Sequence, residues 1–176
     1  MLASIILVFV VVNRYVSAES SCQTTDGRYE VSVISSSIHS ETIPQVIAFH
    51  AYISKHVIPG AGRRLVFDVT KTNQGSGYNS HTGVFTCPKS GMYVFVWVIR
   101  IYSGEHSTEL MINNSVYGST FLRAKSGDDG SVSGTVVAYV SKGDTVYIRN
   151  NSVLAGDGQI VSNVNGKPTF SGWLLQ

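Results

Sequence analysis

Few side chains here are spaced to make or break bonds. The five histidines, His39, His50, His56, His81 and His106, are scattered, and no two fall at i,i+2 or i,i+4. No Gly-x-Ser-x-Gly turn, HExxH, CxxC, P-loop or GxGxxG occurs, so the sharp nucleophile turn of a hydrolase and the ready-made zinc and phosphate cradles are missing. No enzyme is expected. The side chains that could hold a ligand are of three kinds. Asp128-Asp129-Gly130 places adjacent carboxylates in a glycine-flanked loop. These are hard oxygen donors of the sort calcium accepts, and a solvated surface turn is the competing reading. Asp157, between Gly156 and Gly158, has the same two readings. Arg63-Arg64, Arg123 with Lys125, and Tyr147 with Arg149 offer guanidinium forks and aromatic faces, which suit carbohydrate or anionic polymers. For each, ordinary solvated surface is the alternative. Asn113 and Asn150 each open an Asn-Asn-Ser sequon and are expected glycosylation acceptors in a secreted chain.

The element that must position all of these is the stretch Phe85–Tyr102, FTCPKSGMYVFVWVIRIY. After a turn at Pro88–Gly91 it runs from Met92 to Tyr102 with Arg100 as its one charge. β-Branched and aromatic side chains dominate, so it reads as a strand. Strand period puts Tyr93, Phe95, Trp97, Ile99 and Ile101 on one face, and Met92, Val94, Val96, Val98, Arg100 and Tyr102 on the other. A strand that is apolar on both faces must be covered on both. One face therefore lines the core, and the other packs on something else, such as another copy of the chain.

Around this strand the pattern is of short strands and turns. Strands are expected at Val46–Ile53, Leu65–Val69, Gly83–Thr86, Glu109–Ile112, Val116–Ala124, Ser133–Val140, Thr145–Asn150 and the chain end. Loops are expected at Asn73–Asn79, Ser103–Ser107, Lys125–Gly130 and Ala155–Lys167, and a two-residue hairpin turn at Asn113-Asn114. No longer run has helical periodicity. The expected fold class is an all-β sandwich.

The positions Phe67, Asn73, Tyr78, Phe85, Gly91, Tyr93 and Phe95 fall at intervals of six, five, seven, six, two and two. This spacing resembles the signature of the C1q globular domain, which ends in Gly-x-Tyr-x-Phe-x-Phe/Tyr. Trp97 stands at the last position and keeps a large aromatic on the same face. Ser133–Asp144 (SGTVVAYVSKGD) and Phe170–Leu175 (FSGWLL) resemble two further strands of that family. The resemblance implies a jelly roll of about ten antiparallel strands, shared with tumour necrosis factor ligands and assembling as a homotrimer. It also implies a free, buried cysteine at Cys87. Calcium-binding members hold their ions on acidic residues of the region where Asp128 and Asp129 lie.

The chain has 176 residues, enough for one domain with a sizeable core. Residues 1–18 read as a secretory signal peptide, because Ile5–Val12 is too short an apolar run to span a bilayer and Val16-Ser17-Ala18 forms a small-residue cleavage site. Residues 19–43 form a Ser/Thr-rich leader, and 44–176 the C1q-like domain. No Gly-X-Y repeat marks a collagen stalk. The net charge of +2 excludes nucleic-acid or membrane binding by bulk electrostatics. Cys22, in the leader, is expected to pair with Cys22 of another chain, and an intramolecular bond to Cys87 is the alternative. Signal peptide, leader and C1q-like domain together resemble short secreted proteins of innate immunity. Those are lectin-like pattern-recognition molecules that bind microbial glycans. A trimeric receptor ligand or extracellular organiser, as in tumour-necrosis-like or cerebellin-like relatives, is the second expectation, and a structural matrix role the third.

Overall fold

The computed structural model describes residues 46–175 and, for their backbone, residues 9–11, 14–16, 20–25 and 28–33. The chain divides into two compact units, Met1–Ile43 and Pro44–Gln176. In the first, β1 (Phe9–Val11) pairs with β2 (Arg14–Val16), and β3 (Ser20–Thr25) pairs with β4 (Arg28–Val33), both antiparallel. Cys22 lies opposite Val31 in the β3–β4 register. Its side chain, and residues 1–8 and 17–19 around the expected signal peptide and its cleavage site, lie outside the described residues.

The second unit contains β5 (Ala48–Tyr52), β6 (Val69–Gln74), β7 (Tyr78–Asn79), β8 (Val84–Thr86), β9 (Gly91–Ile112), β10 (Ser115–Val140), β11 (Thr145–Asn150), β12 (Asp157–Ile160) and β13 (Thr169–Leu174). All pairings are antiparallel, and no helix occurs among the described residues. The long strands β9 and β10 cross from one sheet to the other. The first half of β9 runs between β13 and the second half of β10, with β5 and β6 beyond β13. Its second half runs between β11 and the first half of β10, with β8 and β7 beyond β11. Counting each half as a strand gives two five-stranded layers, a jelly-roll sandwich, with β12 added along the bend of β9.

Two expected loops are thereby corrected. Ser103–Ser107 and Lys125–Gly130 do not end strands; they lie inside β9 and β10 at the corners between the layers. The β9 corner is made by Ser103 and Gly104, with φ of 49° and 123°. A side chain on Gly104 would also meet the Asp157 carbonyl oxygen at 2.5 Å, so glycine is required there. Opposite it, the β9–β10 register shifts between Ala124 and Asp129, and this absorbs Lys125–Asp128. Three more boundaries move. The expected loop Asn73–Asn79 contains the end of β6 and all of β7. Leu65–Asp68 approaches β11 without forming a strand, and the strand there is β6. The expected 155–167 loop contains β12. The Asn113-Asn114 turn is as expected: Ile112 pairs with Ser115, and Asn113 has φ 53°.

The core lies between the layers. Tyr93, Phe95, Trp97, Ile99 and Ile101 are all fully buried in it, as the strand period implies. Phe49 stacks on Tyr78 and Phe85 with ring centroids 4.9 and 4.8 Å apart, and meets Phe170 edge-on. The signature positions are therefore structural. Asn73 clamps the turn after β6 by accepting the Tyr78 amide and donating to the Tyr78 carbonyl. The Tyr78 hydroxyl donates to the Phe67 carbonyl, and burial pushes that hydroxyl well above its ordinary pKa. Cys87 is a buried free thiol 3.1 Å from the Lys89 carbonyl oxygen, an acceptor it shares with the Tyr93 hydroxyl. Burial, and then the neighbouring Cys87, raise the Tyr93 pKa.

The opposite face of β9 is apolar and partly open. Val94 sits between Trp173 of β13 and Val137 of β10, and Met92 lies opposite Tyr139. Trp173, Val137, Tyr139 and Met92 are exposed, and Val94, Val96 and Val98 are half-buried.

Candidate functional site

Two of the three basic groups expected from the sequence converge on one place. Arg64 and Arg149 form an isolated antiparallel bridge, flanked by hydrogen bonds from the Leu65 amide to the Ile148 carbonyl and from the Asn150 amide to the Arg63 carbonyl. Pairing two arginines side by side separates their heads. The Arg64 guanidinium lies 4.5 Å above the Tyr147 ring and donates to the Thr82 carbonyl. Arg149 turns to Glu109, its cross-strand partner on β9, with Nε 2.7 Å from Oε2. The other Glu109 oxygen accepts from Asn151 Nδ2 at 2.7 Å. Glu109 is buried, so its charge is matched on both oxygens. Thus Arg149 is committed to structure, while Arg64, stacked on Tyr147, remains exposed.

Beside Arg64 opens a cleft of about 450 Å³, between the segments Ile53–Gly60 and Arg63–Asp68. Its size is that of an ordinary small-ligand pocket. Lys55, His56, Arg63 and Arg64 line it, with Ile58 and Val57 as apolar wall. The one lining carboxylate is Asp68, whose oxygens accept from the Ser54 amide at 2.7 Å and the Ser54 hydroxyl at 2.5 Å. Burial works against ionisation of Asp68, but these Ser54 hydrogen bonds and the Lys55 charge outweigh it and hold the carboxyl below its ordinary pKa. His56 Nδ1 accepts the Ser162 amide at 3.1 Å, which leaves Nε2–H as a donor. Lys55, His56, Glu109 and Asn151 escape sequence reasoning. Glu109 could have been found only from the β9–β11 register that sets it opposite Arg149.

The third basic group stays apart. Arg123 lies on β10, with β9 between it and β11, and it pairs with Glu105 at 2.6 Å and covers the Phe121 ring. Lys125 sits exposed in the β10 corner, and neither residue lines the cleft.

The calcium reading does not fit the donor set. Asp129 Oδ2 lies 2.8 Å from the Arg100 guanidinium, whose second partner is Asn163. A carboxylate neutralised by a largely buried cation is a poor ligand for a second cation. No cluster of three or more metal-ligating His, Cys, Asp or Glu side chains occurs among the described residues. Asp157 accepts the Glu105 amide at the β9 corner.

The two sequons also part company. Asn150 is fully buried, and its Nδ2 donates to the carbonyls of Pro59, Gly60 and Ala155. A glycan on that nitrogen has no room in the fold, so the glycosylation expected at Asn150 is corrected. Asn113 is exposed at its hairpin tip, with Oδ1 accepting the Thr145 amide.

Together the layers and corners define a jelly-roll domain with the fold of the C1q and tumour necrosis factor domains. The globular domain of zebrafish complement 1qA superposes with a TM-score of 0.62 at 20% identity, over 74% of this chain and 98% of that one. Eiger TNF from S. frugiperda gives 0.55 at 16% identity, over 75% of this chain and 94% of that one. The chain belongs to the C1q domain family, whose profile matches residues 48–175. Caprin-2 of Danio rerio is 30% identical over 142 residues, which span 78% of this chain and 15% of Caprin-2.

Proposed function

We propose that this is a secreted, non-enzymatic pattern-recognition protein that binds microbial surface glycans as a lectin-like homotrimer. The observation that supports it best is Arg64, stacked on Tyr147 beside a pocket-sized cleft, in a domain whose outer β9 face is apolar and open. A cation over an aromatic platform suits sugar hydroxyls and acidic groups. Trimer formation covers Val94, Val137 and Trp173 and displays three weak sites together, which raises avidity. Residues 1–18 act as the signal peptide, Asn113 carries a glycan, and Cys22 links chains through a disulfide.

The test is sedimentation of the secreted chain together with binding to a panel of immobilised mannan, peptidoglycan and lipopolysaccharide. Wild type sediments as a trimer and binds at least one surface. Val94→Glu, which puts a charge between Trp173 and Val137, yields monomer and loses the binding. A stable micromolar monomer, or a trimer that binds no glycan, refutes the reading. Exposed Tyr117 and Phe121 on β10 favour a protein partner as the second reading, and capture of a receptor by a glycan-blind trimer would select it.

A further inference from the structure

We infer that the cleft between Ile53–Gly60 and Arg63–Asp68 is selective for acidic saccharide units, bearing carboxylate or sulfate, over neutral sugars. This rests on the glycan-binding reading above and names its ligand class. Three cationic side chains, Lys55, Arg63 and Arg64, line the cleft, and none makes an ion pair among the described residues. The single opposing carboxylate, Asp68, already accepts one Ser54 hydrogen bond on each oxygen, and three cations against one carboxylate leave the lining net positive. His56, oriented by the Ser162 amide, adds a neutral N–H donor. The donors therefore greatly outnumber the free side-chain acceptors.

That imbalance discriminates between ligands. A neutral sugar brings hydroxyls that both donate and accept, and in this cleft their donor halves find few side-chain acceptors besides Asp68. An anionic group is acceptor-only and takes guanidinium and ammonium donors without conflict. Arg64, whose guanidinium sits over Tyr147 and donates to the Thr82 carbonyl, adds its charge from the edge of the cleft. Ile58 and Val57 give the apolar face of a sugar ring a surface to lie against.

The experiment measures binding of short soluble oligosaccharides to the intact trimer, so that avidity does not mask the site. The probes are heparin fragments for sulfate, oligogalacturonate for carboxylate, and dextran and mannan fragments as neutral controls. At least one acidic probe binds, more weakly as salt rises, and the neutral probes bind less than that one. Lys55→Glu with Arg63→Glu weakens the acidic probe about tenfold or more, while Arg123→Glu, outside the cleft, changes it less than about twofold. Neutral fragments that bind as well as acidic ones overturn the selectivity. Acidic binding untouched by the double reversal overturns the location. If mannan binds and neither acidic probe does, the inference fails while the lectin reading survives. If no fragment binds, the inference fails, and the immobilised panel above decides the lectin reading separately.

Discussion

Gly134 and Trp97 face each other across β9 and β10, and Gly134→Ala tests whether the core is organised as described. A Cβ on Gly134 would press into Trp97 Cζ2 and Cη2 and lie 2.6 Å from Cε2. The indole cannot simply slide away, because Nε1 donates to the Thr108 hydroxyl at 3.0 Å and that hydroxyl is bonded in turn to Thr120. Overpacking costs about 1–3 kcal/mol. Breaking the indole bond leaves a buried N–H unmatched, for about 1–3 kcal/mol more. The expected loss is about 3 kcal/mol, or a fall of roughly 1–3 M in the urea midpoint at fixed protein concentration. Trp97 is buried in the core of the chain, so fluorescence should show its indole moving to a wetter environment. Trp97→Phe removes the atoms that clash. The double variant should then lose about 2 kcal/mol less than the sum of the single losses. Additive losses, or a Gly134→Ala protein within about 0.5 kcal/mol of wild type, would refute the close-packing argument.

Asn150→Asp keeps the shape but replaces the Nδ2 donor to Pro59, Gly60 and Ala155 with an acceptor. A loss of more than about 3 kcal/mol is expected, and mass spectrometry of secreted wild type should find glycan at Asn113 alone. Asp68 has its pKa lowered in the fold, so its contribution is complete above the unfolded value of 3.8 and disappears as pH falls through the lower folded value. Asp68→Asn should therefore be less stable than wild type at neutral pH and equal to it in strong acid; a gap that persists in acid would mean the effect is not ionic. Asp129→Asn removes the partner of Arg100 and should cost about 1 kcal/mol, since Asp129 is half exposed. Calcium and EDTA should leave the melting temperature of wild type unchanged, and a calcium-dependent rise lost in Asp129→Asn would reinstate the metal.

Sequence by itself determined what depends on local order. Alternation from Tyr93 to Ile101 places those side chains in the core, because a strand turns successive residues to opposite faces wherever it goes. The Asn113 turn is equally local, since only its own backbone has to reach positive φ. Tertiary structure decided everything that needs two distant segments in register. Ser103–Ser107 has loop composition yet continues a strand, because β12 and β10 supply partners to a kinked backbone. Asn150 has the same sequon as Asn113, but the 59–60 loop closes over one and leaves the other open. Arg64 and Tyr147, far apart in sequence, become a stacked pair only once the 63–65 segment lies along β11. Residue type states what a side chain can bind, and the long-range register determines what it meets.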